Sequence, residues 1–158
     1  MQFFPKKLSQ IYLVLFVSAF LTITGNFTFF QKTLLVYPLS ENWLFLGSLF
    51  FFLFTFLAAL LLLFCYRVTT KPILIALLMI SAIVSYSTNN YGIVFDHNMI
   101  LNTFETDTSE FLDLVSFKSI LYFFIFGLLP SIFVLKVKLI KISFKAQLWE
   151  RIKTFLVL

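Results

Sequence analysis

The acidic side chains of this sequence are gathered in one stretch. Of its seven Asp and Glu residues, five lie between positions 96 and 113. They are Asp96, Glu105, Asp107, Glu110 and Asp113. Carboxylates placed this close together could pair with a cationic ligand. They could equally be the charges that keep a loop solvated on the far side of a membrane, and composition alone does not separate the two interpretations.

Helical periodicity favours the interpretation that this stretch binds a cationic ligand. Residues 96–115 mix apolar and polar side chains as an amphipathic helix does. At 3.6 residues per turn one face carries Asn102, Thr106 and Glu110, with Ile100, Phe104 and Phe111 broadly opposite. Such a helix would lie on a bilayer with its polar row exposed. The row suits a phospholipid head group, because a carboxylate pairs with an ammonium while an amide and a hydroxyl meet phosphate oxygens.

A second pattern in the same stretch conflicts with the alignment of these three residues on one helical face. Asp107 and Glu110 have the spacing of a capping box, which would start a new helix near residue 107. If a helix begins there, the alignment of Asn102 with Glu110 no longer follows. Both patterns remain open at this point.

The remaining candidates for chemistry are weak. Cys65 is the only cysteine and His97 the only histidine, so an intrachain disulfide is excluded and a zinc site built from this chain alone is not expected. Asp96 precedes His97, but adjacent residues of a helix do not face each other, which favours a surface histidine over a general base. The sequence has no phosphate-binding glycine loop and no serine–histidine–acid set.

The elements that must position the acidic stretch are transmembrane helices. Apolar residues make up 61% of the 158 residues, charged residues 12%, and the mean hydropathy is +1.01, which excludes an ordinary soluble domain. Crossing a bilayer takes about 20 mostly apolar helical residues. Four stretches qualify, at about 11–30, 43–65, 72–87 and 117–135. The first continues to Phe30, which favours an uncleaved signal-anchor over a cleaved signal peptide.

The distribution of Lys and Arg predicts the orientation. With the N-terminus in the cytoplasm, the inner segments hold ten Lys and Arg residues and the outer segments hold two, Lys32 and Lys118. The stretch 88–116 is then an outer loop that contains the acidic residues. A basic cytoplasmic segment follows at about 136–153, and the apolar run 154–158 is predicted to start a fifth transmembrane helix. The alternative is an amphipathic tail on the inner leaflet, with Phe144, Leu148, Ile152 and Phe155 facing lipid.

The outer loop resembles a known family. The run from Asn90 to Asp107, NYGIVFDHNMILNTFETD, is similar to the outer-loop signature of bacterial phosphoethanolamine transferases, which include the lipid A enzymes and the mobile colistin-resistance enzymes. The pieces GNFTFF at 25–30, Tyr37–Pro38 and Lys71–Pro72 occur in the same order relative to the predicted spans. The resemblance therefore covers essentially the whole chain, as the N-terminal transmembrane domain of that family.

The resemblance implies a fold and a function. In that family five N-terminal helices anchor a periplasmic, zinc-dependent catalytic domain whose threonine nucleophile moves phosphoethanolamine from phosphatidylethanolamine to lipid A, a modification that gives polymyxin resistance. It implies that Tyr91, Asn102, Thr106 and Glu110 lie near the substrate head group. No residue here corresponds to the nucleophile or the zinc ligands, so catalysis and zinc are expected only in a catalytic domain absent from these residues. The expected location is the bacterial inner membrane, with phosphatidylethanolamine and lipid A as partners and no nucleic acid.

Two other functional classes of membrane protein compete with the lipid-docking function. A channel or transporter would normally carry charged residues inside its spans, and none lies between Lys7 and Lys32, Glu41 and Arg67, Lys71 and Asp96, or Lys118 and Lys136. A stand-alone four-helix membrane scaffold or regulatory protein without catalysis would share the composition. It stays the alternative to the lipid-docking function. The fold expected under either hypothesis is an all-α membrane protein with four transmembrane helices, the start of a fifth and an amphipathic helical periplasmic loop.

Overall fold

The computed structural model of the chain describes residues 8–66, 68–92, 116–140 and 144–157. In these ranges the chain is all-helical, apart from an isolated backbone pairing of Leu8 with Leu139. The helices are α1 (Gln10–Gly25), α2 (Phe27–Val36), α3 (Leu39–Phe64), α4 (Thr70–Tyr91), α5 (Phe117–Phe123), α6 (Leu129–Lys136) and α7 (Phe144–Val157), with one π-helical turn (Phe124–Leu128) joining α5 to α6.

Three helical stretches among the described residues are long and apolar enough to cross a membrane. They are Leu39–Phe64, Thr70–Asn90 and Phe117–Lys136, and the bent pair α1 and α2 makes a fourth if it counts as one span. The all-helical membrane class expected from composition is confirmed. The first predicted span differs, because its helix bends by 58° where Gly25 meets Asn26. Asn26 has non-helical dihedral angles and its side-chain amide donates to the Thr22 carbonyl, which breaks the helix there.

The last long span contains a wide turn in place of a simple proline kink. Pro130 has no N–H to donate, so an α-helical ladder cannot continue unchanged through it. The Leu129 N–H instead donates to the Phe124 carbonyl five residues earlier. A π-turn of this kind accommodates the proline while keeping α5 and α6 in one continuous span.

The core lies where α1, α3, α4 and α6 meet. Its fully buried side chains are mostly aliphatic and include Leu13, Val14, Leu62, Leu74, Leu78 and Val134. The buried hydroxyls of Ser18 and Thr22 donate to the carbonyls one turn earlier, so no polar group of theirs is left unpaired in an apolar environment. Small residues bring helices close: a Cβ on Gly25 would lie 3.0 Å from the Ser81 side chain of α4.

The bundle has two distinct ends. We name the end where α1 begins and α3 finishes the basal end, and the end where α4 finishes the apical end. At the basal end the Gln10 amide donates to the Cys65 carbonyl at 2.7 Å and to the Thr70 hydroxyl at 2.5 Å, and it accepts from Gln147 of α7. Each of these side chains is buried.

Arg151 of α7 completes this basal arrangement. Its guanidinium donates to the carbonyl of Leu62 at 3.0 Å and to that of Cys65, at the C-terminal end of α3. It also lies 5.1 Å from the centre of the Tyr66 ring. Burial lowers the pKa of the guanidinium, which nevertheless stays charged because the pKa of arginine starts so high. We call Gln10, Cys65, Thr70, Gln147 and Arg151 the polar joint.

Helix α7 is continuous from Phe144 to Val157. It therefore includes part of the basic segment predicted at 136–153 and the start of the apolar run at 154–158. Leu148, Ile152 and Phe155 are exposed while Gln147 and Arg151 are buried, so the helix has an apolar outer side and a polar docked side. The fifth transmembrane helix and the amphipathic tail both stay predictions.

Candidate lipid head-group site

Three elements meet in a polar contact at the apical end. The Thr28 hydroxyl of α2 donates to the Asn89 side-chain oxygen of α4. The Asn89 amide in turn donates to the Tyr122 hydroxyl of α5, at 3.4 Å. Helix ends rich in apolar residues have little else to fix their relative positions, so these bonds align the apical ends of α2, α4 and α5.

A second contact fixes the point where the chain enters the last span. The Tyr86 and Ser116 hydroxyls lie 3.0 Å apart. Ser116 caps α5, because its hydroxyl accepts from the Ser119 N–H at 3.2 Å while the Ser119 hydroxyl accepts from the Ser116 N–H at 2.9 Å. The Tyr86 ring is also 5.6 Å from the Tyr122 ring, centre to centre. We call Thr28, Tyr86, Asn89, Ser116 and Tyr122 the apical cluster.

Helix α4 ends in a left-handed glycine. Tyr91 is its last residue, and Gly92 follows with φ +65° while donating its N–H to the Thr88 carbonyl at 3.2 Å. A left-handed residue at this position ends a helix and satisfies one of its free carbonyls, and glycine adopts that conformation without strain. Residues 93–115 are thus held between Gly92 and Ser116, both at the apical end.

Of the four predicted substrate-binding residues, one is within the described ranges. Tyr91 has its backbone at the end of α4, beside the apical cluster. Asn102, Thr106 and Glu110 lie outside the described residues. The acidic stretch from Asp96 to Asp113, His97 and the proposed capping box at Asp107 lie outside them as well. The head-group assignment therefore stays a prediction.

Sequence reasoning did not single out the residues of the apical cluster. Thr28 lies in the run at 25–30, and Asn89, Ser116 and Tyr122 belong to no motif. The contacts join residues 61, 33 and 30 positions apart, which helical periodicity within one element cannot reveal. The available signal was positional: each polar residue sits where an apolar run meets a predicted loop.

The apical end offers hydrogen-bonding groups and two cations to a polar ligand. Asn89 is exposed and Thr28 and Tyr122 are half-buried, so their amide and hydroxyl groups border solvent. Lys32 of α2 and Lys118 of α5 are also exposed. Within the described ranges, no group of three or more His, Cys, Asp or Glu side chains could hold a metal ion. These residues do not fit a zinc site, and no step through zinc is assigned to them.

Comparison with known proteins identifies the family. A sequence profile described as phosphoethanolamine transferase EptA/EptB matches residues 53–158. The chain belongs to this family. It is 39% identical over 136 residues to phosphatidylethanolamine transferase Mcr-1 of Escherichia coli, a match covering 85% of this chain and 25% of the relative. It is 38% identical over 118 residues to phosphatidylethanolamine transferase Mcr-2 of the same organism, covering 75% of this chain and 22% of the relative.

A solved structure has the same fold. The integral membrane protein lipooligosaccharide phosphoethanolamine transferase A (EptA) from Neisseria meningitidis matches with a TM-score of 0.87 at 24% identity, over 96% of this chain and 28% of that protein. At this identity the likeness shows the fold alone. The resemblance drawn from the outer-loop sequence is confirmed, and this family member corresponds to the N-terminal membrane domain. It spans about a quarter of the length of the relatives it matches.

Proposed function

We propose that this chain is the membrane anchor and lipid-docking domain of a phosphoethanolamine transferase, which moves phosphoethanolamine from phosphatidylethanolamine to lipid A. The observation that carries the proposal is the 39% identity to Mcr-1 over 136 residues, a protein named as a phosphatidylethanolamine transferase. The fold supports it, because segment 93–115 starts and ends at the apical end of a membrane bundle.

The proposed site binds the head group of the donor lipid through complementary charges and hydrogen bonds. Glu110 pairs with the ammonium of phosphoethanolamine, and Asn102 and Thr106 bind its phosphate oxygens. Tyr91, the last residue of α4, is assigned to the same site, because a tyrosine suits the boundary between lipid and water. The apical cluster keeps the two ends of the segment in place, so that binding does not have to order them.

The proposed orientation follows from charge. The N-terminus is cytoplasmic and the segment 88–116 is periplasmic in the bacterial inner membrane, because ten of twelve Lys and Arg residues then lie on the cytoplasmic side. The apical end is the periplasmic end in this orientation. Phosphoryl transfer itself needs a nucleophile and zinc, which we assign to a catalytic domain outside these 158 residues.

Substitution in segment 93–115 tests the site. In the whole transferase, Glu110→Gln removes the charge that pairs with the ammonium, and Asn102→Ala removes the phosphate contact. We expect each to lower the fraction of phosphoethanolamine-modified lipid A, measured by mass spectrometry, by about tenfold or more, as for a lost charge-assisted hydrogen bond. Glu150→Gln, at an exposed position of α7, is the matched control and should leave the modification of lipid A unchanged.

The level of protein in the membrane separates a binding defect from a folding defect. Equal amounts of each variant, with Cys65 still protected from maleimide, would show that the bundle is intact. Wild-type modification by both Glu110→Gln and Asn102→Ala would contradict the site assignment. Failure of the wild-type protein to modify lipid A, in cells lacking other transferases, would instead favour a membrane scaffold without catalysis.

A further inference from the structure

A groove at the basal end is lined by three lysines. It has a volume of about 600 Å³ and lies between the start of α4 and the segment that follows α6. The lining includes Lys71, Lys136 and Lys138 together with the apolar side chains of Leu135 and Ile140. The lining is thus cationic, with an apolar edge formed by the exposed Leu135 and Ile140.

The backbone that carries two of these lysines is fixed. The Leu8 N–H donates to the Lys138 carbonyl at 3.0 Å, and the Ile140 N–H donates to the Leu8 carbonyl at 3.1 Å. Val137 between the two lysines is 4% exposed and belongs to the core. Side chains of an extended segment alternate between its two faces, so burial of Val137 turns Lys138 outward. Lys136, the last residue of α6, is exposed as well.

Lys71 is held at the opposite wall. Its ammonium donates to the Leu135 carbonyl at 2.7 Å, near the C-terminal end of α6. An ammonium has three N–H donors, so two remain for a ligand. Lys71 is also the second residue of α4, and the N-terminus of a helix favours negative charge. The contact with Leu135 holds the Lys71 ammonium beside the segment that carries Lys136 and Lys138.

Few acids compete for these cations at the basal end. The described ranges contain two acidic residues, Glu41 at the start of α3 and Glu150 of α7. Glu150 lines a separate cavity of about 50 Å³ beside Gln10 and Gln147. That cavity shares only Ile140 with the groove. The groove consequently has a net positive charge available to a ligand.

We propose that this groove binds the phosphate of an anionic phospholipid of the leaflet at the basal end. Lys71, Lys136 and Lys138 contact the phosphate, and an acyl chain lies along Leu135 and Ile140, which are 57% and 43% exposed. Basic pockets between transmembrane helices are a recurring binding site for anionic lipid head groups. The apolar edge favours a lipid over free phosphate. The site is separate from the proposed apical site and does not depend on transferase activity.

Lipid retention measures the site directly. The protein is reconstituted in nanodiscs containing about four parts phosphatidylethanolamine to one part phosphatidylglycerol and extracted into mild detergent, and its bound lipids are counted by native mass spectrometry. Each lysine near an anionic head group should contribute about fivefold in affinity. We expect retained phosphatidylglycerol to fall more than tenfold in a variant combining Lys71→Gln, Lys136→Gln and Lys138→Gln. Lys153→Gln, which removes an exposed cation of α7 outside the groove lining, is the charge control and should retain the lipid.

Two further variants keep the test decisive. Lys138→Gln alone leaves the contact of Lys71 with Leu135 intact and should lower retention about fivefold. Arginine at all three positions should preserve retention, since the charge is kept. Equal retention by wild type and by the Lys138→Gln and triple glutamine variants would overturn the proposal. Displacement of the lipid by millimolar inorganic phosphate would overturn it in favour of a soluble phosphate ligand.

Discussion

The polar side chains that join helices at the basal end of the bundle are buried, whereas those that join helices at the apical end border solvent. Gln10, Thr70 and Arg151 are 7%, 0% and 9% exposed, and each has partners in the polar joint. Asn89 of the apical cluster is exposed, and its bond to the Tyr122 hydroxyl is long, at 3.4 Å. Both ends join several helices through amides and hydroxyls, but in different surroundings.

The difference in burial implies a difference in role. A buried polar group that loses its partner costs its full desolvation energy, while an exposed group exchanges its partner for water. The polar joint should therefore determine the stability of the bundle and the position of α7. The apical cluster should contribute less to stability, because water can replace the partners of its exposed groups. Such a division is expected where a rigid scaffold carries a binding site at one end.

Removing Arg151 should produce the largest effect. Arg151→Met keeps the side-chain length but leaves the carbonyls of Leu62 and Cys65 without their cationic donor. We expect a loss of about 2–4 kcal/mol in the free energy of unfolding, because hydrogen bonds from a charged group to buried acceptors are lost. Cys65 is the only cysteine and is fully buried, so its rate of maleimide labelling in detergent reports opening of the joint. The rate should rise at least about thirtyfold.

Two variants of α7 serve as controls for that result. Lys153→Met removes an exposed cation from the same helix and should leave Cys65 protected. Arg151→Lys keeps the charge but cannot donate to both carbonyls in the same geometry. Its rate of Cys65 labelling should therefore lie between those of the wild type and Arg151→Met. Labelling by Arg151→Met at the wild-type rate would mean that the joint does not hold α7.

Gln10→Leu should have the next largest effect. The substitution conserves volume but removes the amide that donates to the Cys65 carbonyl and the Thr70 hydroxyl. We expect a loss of about 1–3 kcal/mol, measured as the free energy of unfolding, since buried partners are left unsatisfied. Gln31→Leu, at an exposed position on α2, is the matched control and should change stability by less than about 0.5 kcal/mol. An equal loss of unfolding free energy in Gln10→Leu and Gln31→Leu would mean that the buried amide of the polar joint stabilises the bundle no more than an exposed one.

The approach of α1 to α4 gives a smaller, separable effect. In Gly25→Ala the new Cβ would lie 3.0 Å from the Ser81 Oγ, whereas in Gly47→Ala it would meet nothing within 4 Å. We expect Gly25→Ala to destabilise the bundle by about 1 kcal/mol through overpacking. Gly47→Ala should be neutral or stabilising by up to about 1 kcal/mol, because alanine favours a helix. Thermal unfolding in detergent measures both.

A second substitution tests the cause of the Gly25 effect. Ser81→Ala removes the atom that the new Cβ would approach, so the combination of Gly25→Ala with Ser81→Ala should recover most of the lost stability. If the double variant is as unstable as Gly25→Ala alone, the contact with Ser81 is not the reason and the bend at Asn26 becomes the better explanation.

Composition and apolar run lengths were sufficient to predict the membrane class and the three long apolar helices. The run at 43–65 corresponds to α3 and the run at 117–135 to the stretch Phe117–Lys136, because about 20 apolar residues have few alternatives to a membrane helix. The bend after Gly25 was not predicted, since an asparagine beside a glycine can pack within a helix as readily as end it. The choice depends on tertiary contacts such as that of Gly25 with Ser81.

The polar joint shows a second limit of sequence reasoning. From the sequence, Arg151 is one of ten cations on the predicted cytoplasmic side and has no other predicted role. The carbonyls that it contacts, those of Leu62 and Cys65, are 89 and 86 positions away in the chain. Local periodicity identifies which face of α7 is polar, but not what that face contacts. For the head-group site the sequence predicts Tyr91, Asn102, Thr106 and Glu110, and the described residues supply only the helix ends that flank them.

Tyr122→Phe should produce the smallest effect and completes the contrast between the ends. It removes the hydroxyl that accepts from Asn89 but keeps the ring contacts with Tyr86 and Phe126, at 5.6 and 4.5 Å between centres. Because Asn89 borders solvent, water replaces the lost partner, and the free energy of unfolding should change by less than about 0.5 kcal/mol. Cys65, at the other end of the bundle, should label at the wild-type rate. A loss above about 2 kcal/mol would mean that the apical cluster is a second structural joint.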